Sequence, residues 1–296
     1  MEFRRLDPVV DQNLLREFLV ASDPDDYLLE EFPDWAWEGR LWAGEEGGAM
    51  LSFGRLHDLG EGEGWVSAMR VLASRRGEGL GHQLLDRILA DARSAGLPAV
   101  RAVIEDGNSA SRRLFARHGF QSVAVFALRR GLPSPGPAPK LVRARADVRL
   151  DGPVGWVPES TGHVDLLPGG EGGQFGRWRP SLVERWAREG KLYVGPGVAV
   201  AVQPDWWKNP HTLWVNPLRG DPAELVAALG GLTRELHHEE WQAFLPSGDD
   251  LRAEYDRLGL LPHPYWGDRV HLYERLDAPD SALMGGVPRT RDIPSP

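Results

Sequence analysis

Apolar residues recur along the first 128 positions with two alternating periods. Runs with a period near two predict strands at Glu2–Leu6, around Leu41–Ala43 and Ala49–Leu56, at Trp65–Val71, at Val100–Ile104 and near Val123–Leu128. Helical spacing predicts helices over about 8–20, 25–38 and 109–118, the last stopped by Gly119. A Gly-rich turn at 60–64 leads into the strand at Trp65. The clearest helix starts near residue 80, where Leu80, Leu84, Leu85, Ile88, Leu89 and Ala92 fall on one stripe.

The second half repeats the first. Glu38-Gly39-Arg40-Leu41-Trp42-Ala43-Gly44 is echoed by Glu189-Gly190-Lys191-Leu192-Tyr193-Val194-Gly195. Further on, Val71 matches Val215, and the stripe Leu85, Ile88, Ala92 matches Leu229, Leu232, Leu236. Last, Phe115 through Gly119-Phe120 matches Tyr255 through Gly259-Leu260. Several matches in one order argue for a duplicated α/β domain with shorter loops in the second copy. The Pro-rich segment 131–139 reads as the linker, giving domains at 1–130 and 140–277 and a fraying tail at 278–296.

Composition narrows the chemistry. The 296 residues carry a formal net charge of −9, which excludes a general basic surface for nucleic acid and favours a cationic acceptor. The absence of cysteine removes disulfides, thiolate metal sites and thiol nucleophiles together, and the nine histidines show no metal-ligand spacing, so no metal is expected. No apolar run is long enough for a membrane span and no signal core opens the chain, so a cytoplasmic monomer or homodimer is the expectation. The twelve tryptophans read first as core and domain-contact residues, and second as an aromatic acceptor groove.

One stretch carries the chemical signal. Val71-Leu-Ala-Ser-Arg75-Arg76-Gly77-Glu78-Gly79-Leu80-Gly81 runs from a strand through a basic, Gly-rich turn into the amphipathic helix. Glycines allow successive backbone N–H groups to converge, and a helix start adds unpaired amides and its positive dipole end. Such a turn suits a pyrophosphate. A nucleotide P-loop would need Lys-Ser/Thr after its last glycine, where His82 and Gln83 stand. A dinucleotide fingerprint lacks its third glycine, at Leu84, although Glu105 ends the next strand and keeps a dinucleotide-dependent enzyme as a remote alternative. A plain structural turn is the third reading.

Two motifs taken together resemble the GCN5-related N-acetyltransferase (GNAT) superfamily across about 1–128. They are Val71 with Arg76-xx-Gly79-x-Gly81, and Asn108-xx-Ser111-xx-Leu114-Phe115-xxx-Gly119-Phe120, separated by one helix and one strand. The resemblance implies two tandem α/β (α+β) domains, each a mixed, mostly antiparallel sheet flanked by helices and opened like a V for acetyl-CoA. It implies that backbone groups of Met69 and Val71 pair with the pantetheine arm, and that the amides of Arg76, Gly77, Gly79, Leu80, Gly81 and His82 cradle the pyrophosphate. Asn108 would orient the lower pantetheine, or simply cap its helix. Phe115 would border the cofactor.

The implied activity is transfer of an acetyl group from acetyl-CoA to a primary amine of a small molecule or peptide. The Val71 N–H is the expected oxyanion donor. Glu105 is the first candidate base, with His57, Asp58, Glu31 and Asp34 behind it. No carboxylate sits on Trp65–Val71, where many family members keep theirs, and Phe115 replaces the frequent Tyr acid, leaving Ser111 or water to serve the leaving thiolate. These departures keep a non-catalytic acyl-CoA-binding protein as the alternative. The second copy has Tyr255 at the matching place but Arg219-Gly220-Asp221-Pro222 for a loop, and reads as a degenerate domain with Tyr255 in its core. The layout is similar to that of mycothiol synthases, where the C-terminal copy carries the chemistry, so no substrate is carried over.

Overall fold

A computed structural model of the chain describes residues 1–7, 9–26, 28, 29, 39–145, 147, 148, 150, 166–168, 174–177, 179–203, 211–264, 266, 267 and 269–277. Most of the helix expected at 25–38, with Glu31 and Asp34, and the tail 278–296 lie outside the described residues.

The first repeat runs β1 (Glu2–Arg5), α1 (Gln12–Ser22), β2 (Arg40–Glu46), β3 (Ala49–Gly60), β4 (Glu63–Val71), α2 (Leu80–Ser94), β5 (Ala99–Glu105), α3 (Ser109–Arg117) and β6 (Gln121–Gly131). The second continues with β7 (Val142–Arg143), β8 (Leu166–Pro168), β9 (Phe175–Arg177), α4 (Pro180–Arg188), β10 (Leu192–Val194), β11 (Ala199–Gln203) and β12 (Thr212–Arg219). It ends with α5 (Pro222–Glu235), β13 (Glu240–Pro246), α6 (Asp249–Arg257), β14 (Leu261–Pro262) and β15 (Val270–Leu276). The expected strands are all present, most of them extended by one to several residues.

The stripe on α2 explains why that helix forms where it does. Leu84, Leu85 and Ile88 are fully buried against Leu56, Val66, Val100 and Ile104 of the sheet. Each side chain removed from water in this way contributes roughly 1.5–3 kcal/mol. Leu229 and Leu232 on α5 do the same for the second repeat against Val200, Leu213 and Val215. Tyr255 is in that core, 1% exposed, its hydroxyl donating to the Pro246 carbonyl at 3.0 Å. Trp42, Trp65, Trp186, Trp214 and Trp241 are buried as well, in keeping with a packing role.

The two repeats form one continuous sheet in the order β1-β2-β3-β4-β5-β15-β6-β13-β12-β11-β10-β7, with β14 beside β6. Among the described residues each repeat has a single parallel pair, β4 with β5 and β12 with β13, joined through α2 and α5. The repeats also exchange strands. β15, at the far end of the chain, lies between β5 and the first half of β6, pairing Val270–Leu276 with Glu105–Ala99. The second half of β6, Phe126–Gly131, pairs with β13 along one edge and with β14 at Arg129 and Arg130. Phe126 therefore stands at the junction, in an aromatic cluster with Phe175 (4.7 Å), Phe244 (6.4 Å) and, through Phe175, Trp65. Residues 132–139 leave β6 and pack on α5, where Ser134 N–H donates to the Gly230 carbonyl at 3.0 Å.

One sequence match is shifted by the pairing. Ala43 faces Phe53, which faces Arg70; in the second repeat Val194 faces Ala199, which faces Arg219. The counterpart of Val71 is thus Gly220, not Val215. The physical reason is loop length, because residues 72–79 separate β4 from α2, whereas only Gly220 and Asp221 separate β12 from α5.

Candidate active site: a splayed strand pair and an open amide loop

β4 and β5 pair only at Glu63–Ala99, Gly64–Val100 and Trp65–Arg101, and then part. Beyond Trp65 the β5 side of β4 has no strand partner among the described residues, so the parting strands leave the backbone edge of Val66–Val71 open, here called the slot. A bulge helps to turn this edge. The β3–β4 register slips between Phe53 and Arg55, and Ala68 takes a left-handed φ of 57°, rare for a residue with a Cβ. Opposite the bulge stands Gly54, where a Cβ would lie 2.9 Å from Ile88 Cδ1 and 3.2 Å from Met69 Cγ. Only glycine lets α2 and Met69 approach the sheet this closely.

At the mouth of the slot the chain passes through a short 3₁₀ turn (Ala73–Arg75) and then the glycine loop. Gly77 and Gly79 adopt φ of 88° and 81°, and a Cβ on either would meet nothing within 4 Å. The helix hydrogen bonds begin with His82 N–H to the Gly79 carbonyl at 3.0 Å. The amides of Gly77, Glu78, Gly79, Leu80 and Gly81 make no hydrogen bond among the described residues. Five successive N–H donors at the positive end of a fifteen-residue helix are an arrangement that can receive an anion. Gly81 lies where this loop meets β4 and α3, its Cβ position 3.7 Å from Val71 and 3.5 Å from Leu114.

The two arginines of the loop differ. Arg75 is held by Glu78 at 2.8 Å and Glu46 at 3.1 Å, so its charge is spent within the protein and its pKa is raised by those carboxylates. Arg76 is exposed, its side chain meeting among the described residues the Val71 carbonyl at 3.4 Å, and its charge is the one the loop presents. His82 stacks on His118, Nδ1 to Nε2 at 3.0 Å, with Asp86 behind at 3.2 Å. Its ring is thus engaged away from the loop.

Across the slot, Asn108 caps α3 by accepting the Ser111 N–H at 3.0 Å, and its own N–H returns to the Glu105 carbonyl at 3.0 Å. Glu105, Asn108 and Ser111 therefore belong to one short turn. Desolvation raises the Glu105 carboxyl above the ordinary range, with Arg70 opposing the shift. Arg70 is itself clamped by buried Asp26 at 2.6 and 3.1 Å. Phe115 points into the core, 4% exposed, its ring 4.8 Å from Phe120.

His57 and Asp58 are placed at the closed end. His57 faces Trp65 across the strands and meets Gln174 at 2.9 Å, and Asp58 caps the Gly60 turn. The extra length of β4 adds Glu63, a carboxylate the sequence-derived strand did not include. It is buried and bound to Arg101 at 3.1 Å and Arg179 at 3.3 Å, so it is no free base. The second repeat fills its own anion position. Pro222 has no N–H, and Asp221 caps α5 by accepting from Ala223 N–H at 3.0 Å.

Residues 12–120 match the model of the acetyltransferase (GNAT) family. The match lies within the first repeat and is what these residues are similar to. An L-methionine sulfoximine/L-methionine sulfone acetyltransferase of Pseudomonas aeruginosa is 36% identical over 85 residues, 27% of this chain and 49% of that protein. An uncharacterized N-acetyltransferase of Bacillus subtilis is 32% identical over 91 residues, 29% of this chain and 59% of that protein. The chain thus spans about half the length of the curated relatives it matches. Among solved structures, a GCN5-related N-acetyltransferase from Sphaerobacter thermophilus aligns over 94% of this chain and 96% of its own, with TM-score 0.59 and 17% identity. A tandem GNAT protein from the clavulanic acid biosynthesis pathway aligns over 95% and 99%, with TM-score 0.55 and 13% identity. Both likenesses concern the fold, and they extend the GNAT architecture over both repeats.

β15 brings residues to the site that sequence reading missed. His271 Nε2 lies 2.6 Å from Asp106 Oδ1, and Arg112 donates to the Tyr273 hydroxyl at 3.4 Å. Only the apolar alternation of Val270–Leu276 signals a strand there, and nothing local says which sheet edge it joins.

Proposed function

We propose that the chain is an acetyl-CoA-dependent N-acetyltransferase acting on a primary amine of a small molecule or peptide, with the first repeat as its active domain. The observation that carries this reading is the row of five unengaged amides, Gly77–Gly81, at the mouth of a slot between parting strands. The amides and Arg76 suit a pyrophosphate, and the free edge of β4 at Met69 and Val71 suits the amide groups of an extended pantetheine. Asn108 borders the lower end of that path.

Acetyl-CoA supplies the activated thioester carbonyl; the protein's part is to align an amine on it. The Val71 N–H would donate to the carbonyl oxygen as negative charge gathers there. The attacking amine must lose a proton, and Glu105 takes it, directly or through one water. A thiol of ordinary pKa near ~8.5 leaves as thiolate, with Ser111 or water at hand, so the burial of Phe115 in the core does not stop the reaction.

The pH dependence follows from Glu105. A base works only when ionised, so kcat/KM rises with pH through the carboxyl pKa, at a pH above the ordinary carboxylate range. Glu105→Gln removes this limb and lowers kcat by roughly 100-fold or more. An unchanged profile and rate in the variant reject Glu105 as the base.

The reading as a whole is tested by calorimetry with acetyl-CoA and a thiol-release assay over polyamines, aminoglycosides, amino acids and peptides. Binding with turnover on one amine class is the expected result. Tight binding with no turnover on any amine marks a non-catalytic acyl-CoA-binding protein, a reading favoured by Phe115 and by the engaged Glu63. Thermal stabilisation by NADH and none by coenzyme A marks a dinucleotide site.

A further inference from the structure

The turn that carries Glu105 and Asn108 is held in part from the other end of the chain. Val270 pairs with Glu105 in the β5–β15 ladder. Asp106 N–H donates to the Arg269 carbonyl at 3.0 Å. The Asp106 carboxylate accepts from His271 Nε2–H at 2.6 Å, and this bond is the main cause that keeps Asp106 below the ordinary range. Arg112, on the first turn of α3, donates to the Asp106 carbonyl and carboxylate at 3.1 Å and reaches the Tyr273 hydroxyl at 3.4 Å. His271 and Tyr273 are both buried, at 8% and 6% exposure, so these anchors are fixed by packing.

We propose that His271 of the second repeat is a positioning residue for the first repeat's site, acting through Asp106 on the turn that presents Glu105 and Asn108. The second repeat is then a working part of the active domain through β15, rather than an appended scaffold. A carboxylate held by a buried imidazole N–H has one preferred place, and the residues on either side inherit it. The proposal rests on the reading that this turn serves acetyl-CoA.

The test uses the full chain and two variants. His271→Leu keeps bulk and removes the donor; His271→Gln restores an N–H near the Nε2 position. Loss of one hydrogen bond to a charged group predicts an acetyl-CoA Kd about 10-fold weaker in the Leu variant, returning to within about 2-fold of wild type in the Gln variant. Amide exchange at residues 106–108 rises in the Leu variant and not in the Gln variant, while protection along α2 is unchanged. Equal affinity and equal exchange in wild type and both variants overturn the proposal, and so does loosening of α2 together with the turn. If His271→Leu does not fold, Asp106→Ala, which removes the acceptor at a half-exposed side chain, gives the same loss of affinity and the same rise in exchange. Failure of the wild type to bind acetyl-CoA overturns the cofactor reading alone, because the exchange pattern still decides whether His271 holds the turn.

Discussion

Gly79→Asp abolishes acetyl-CoA binding and leaves the fold in place. The added Cβ meets nothing within 4 Å, so no packing is disturbed. The left-handed φ of 81° costs an L residue roughly 1 kcal/mol, and Asp is among the residues that tolerate it best. A carboxylate at the start of α2 also favours the helix dipole by about 0.3–1 kcal/mol. Stability is therefore nearly unchanged, while the amides that would receive a diphosphate now face a fixed negative charge. The second repeat already shows this arrangement, with Asp221 seated on the Ala223 amide at the start of α5. We expect an affinity loss of roughly 100-fold or more, equivalent to about 2.7 kcal/mol, by calorimetry. Gly79→Asn, with the same shape and no charge, loses less than about 10-fold. Gly81→Asp acts in the same direction from the inner side, where the new Cβ touches Leu114 and Val71 at ordinary contact distances. Unchanged affinity in Gly79→Asp and Gly81→Asp rejects the loop as the cofactor site.

Arg101→Met lowers the unfolding free energy by roughly 3–5 kcal/mol. The Arg101 guanidinium is fully buried at the closed end of the slot and joins three adjacent strands: Glu63 on β4 at 3.1 Å, its own β5, and Glu274 on β15 at 2.7 Å. Both carboxylates are about 4% exposed. Removing the cation leaves Glu274 buried against an apolar neighbour, whereas Glu63 keeps Arg179. A second change, Glu274→Leu, removes the stranded charge and recovers a large part of the loss. Urea unfolding of the three chains measures both effects. A loss below about 1 kcal/mol in Arg101→Met contradicts the view that this ion network ties the second repeat's last strand into the first repeat's sheet.

The parts of the site legible in the sequence are those built from neighbours in the chain. The glycine loop, the stripe on α2 and the Asn108 cap are each built within one short continuous segment, so spacing alone reports their geometry. The charge of the loop was less legible, because Arg75 is neutralised partly by Glu46, distant in sequence, and only Arg76 stays exposed. The slip at Ala68 and the short β12–α5 link depend on which residues face each other across strands, which explains the displaced Val71–Val215 match. Least legible was the strand exchange. β6 is an ordinary apolar strand, yet its eleven residues serve β15 with one half and β13 and β14 with the other. Nothing within β6 or β15 marks that division, which is settled by pairing energies between segments roughly 150 positions apart. For that reason His271, Tyr273 and the Glu274–Arg101 bond entered the first repeat unannounced.

The most direct test of the central claim is a crystal of the chain grown with coenzyme A. The diphosphate is expected on the amides of Gly77–Gly81, with the pantetheine along Met69–Val71 and its end near Asn108. Coenzyme A seated instead at Gly220–Ala223 of the second repeat, or bound at neither loop, contradicts it.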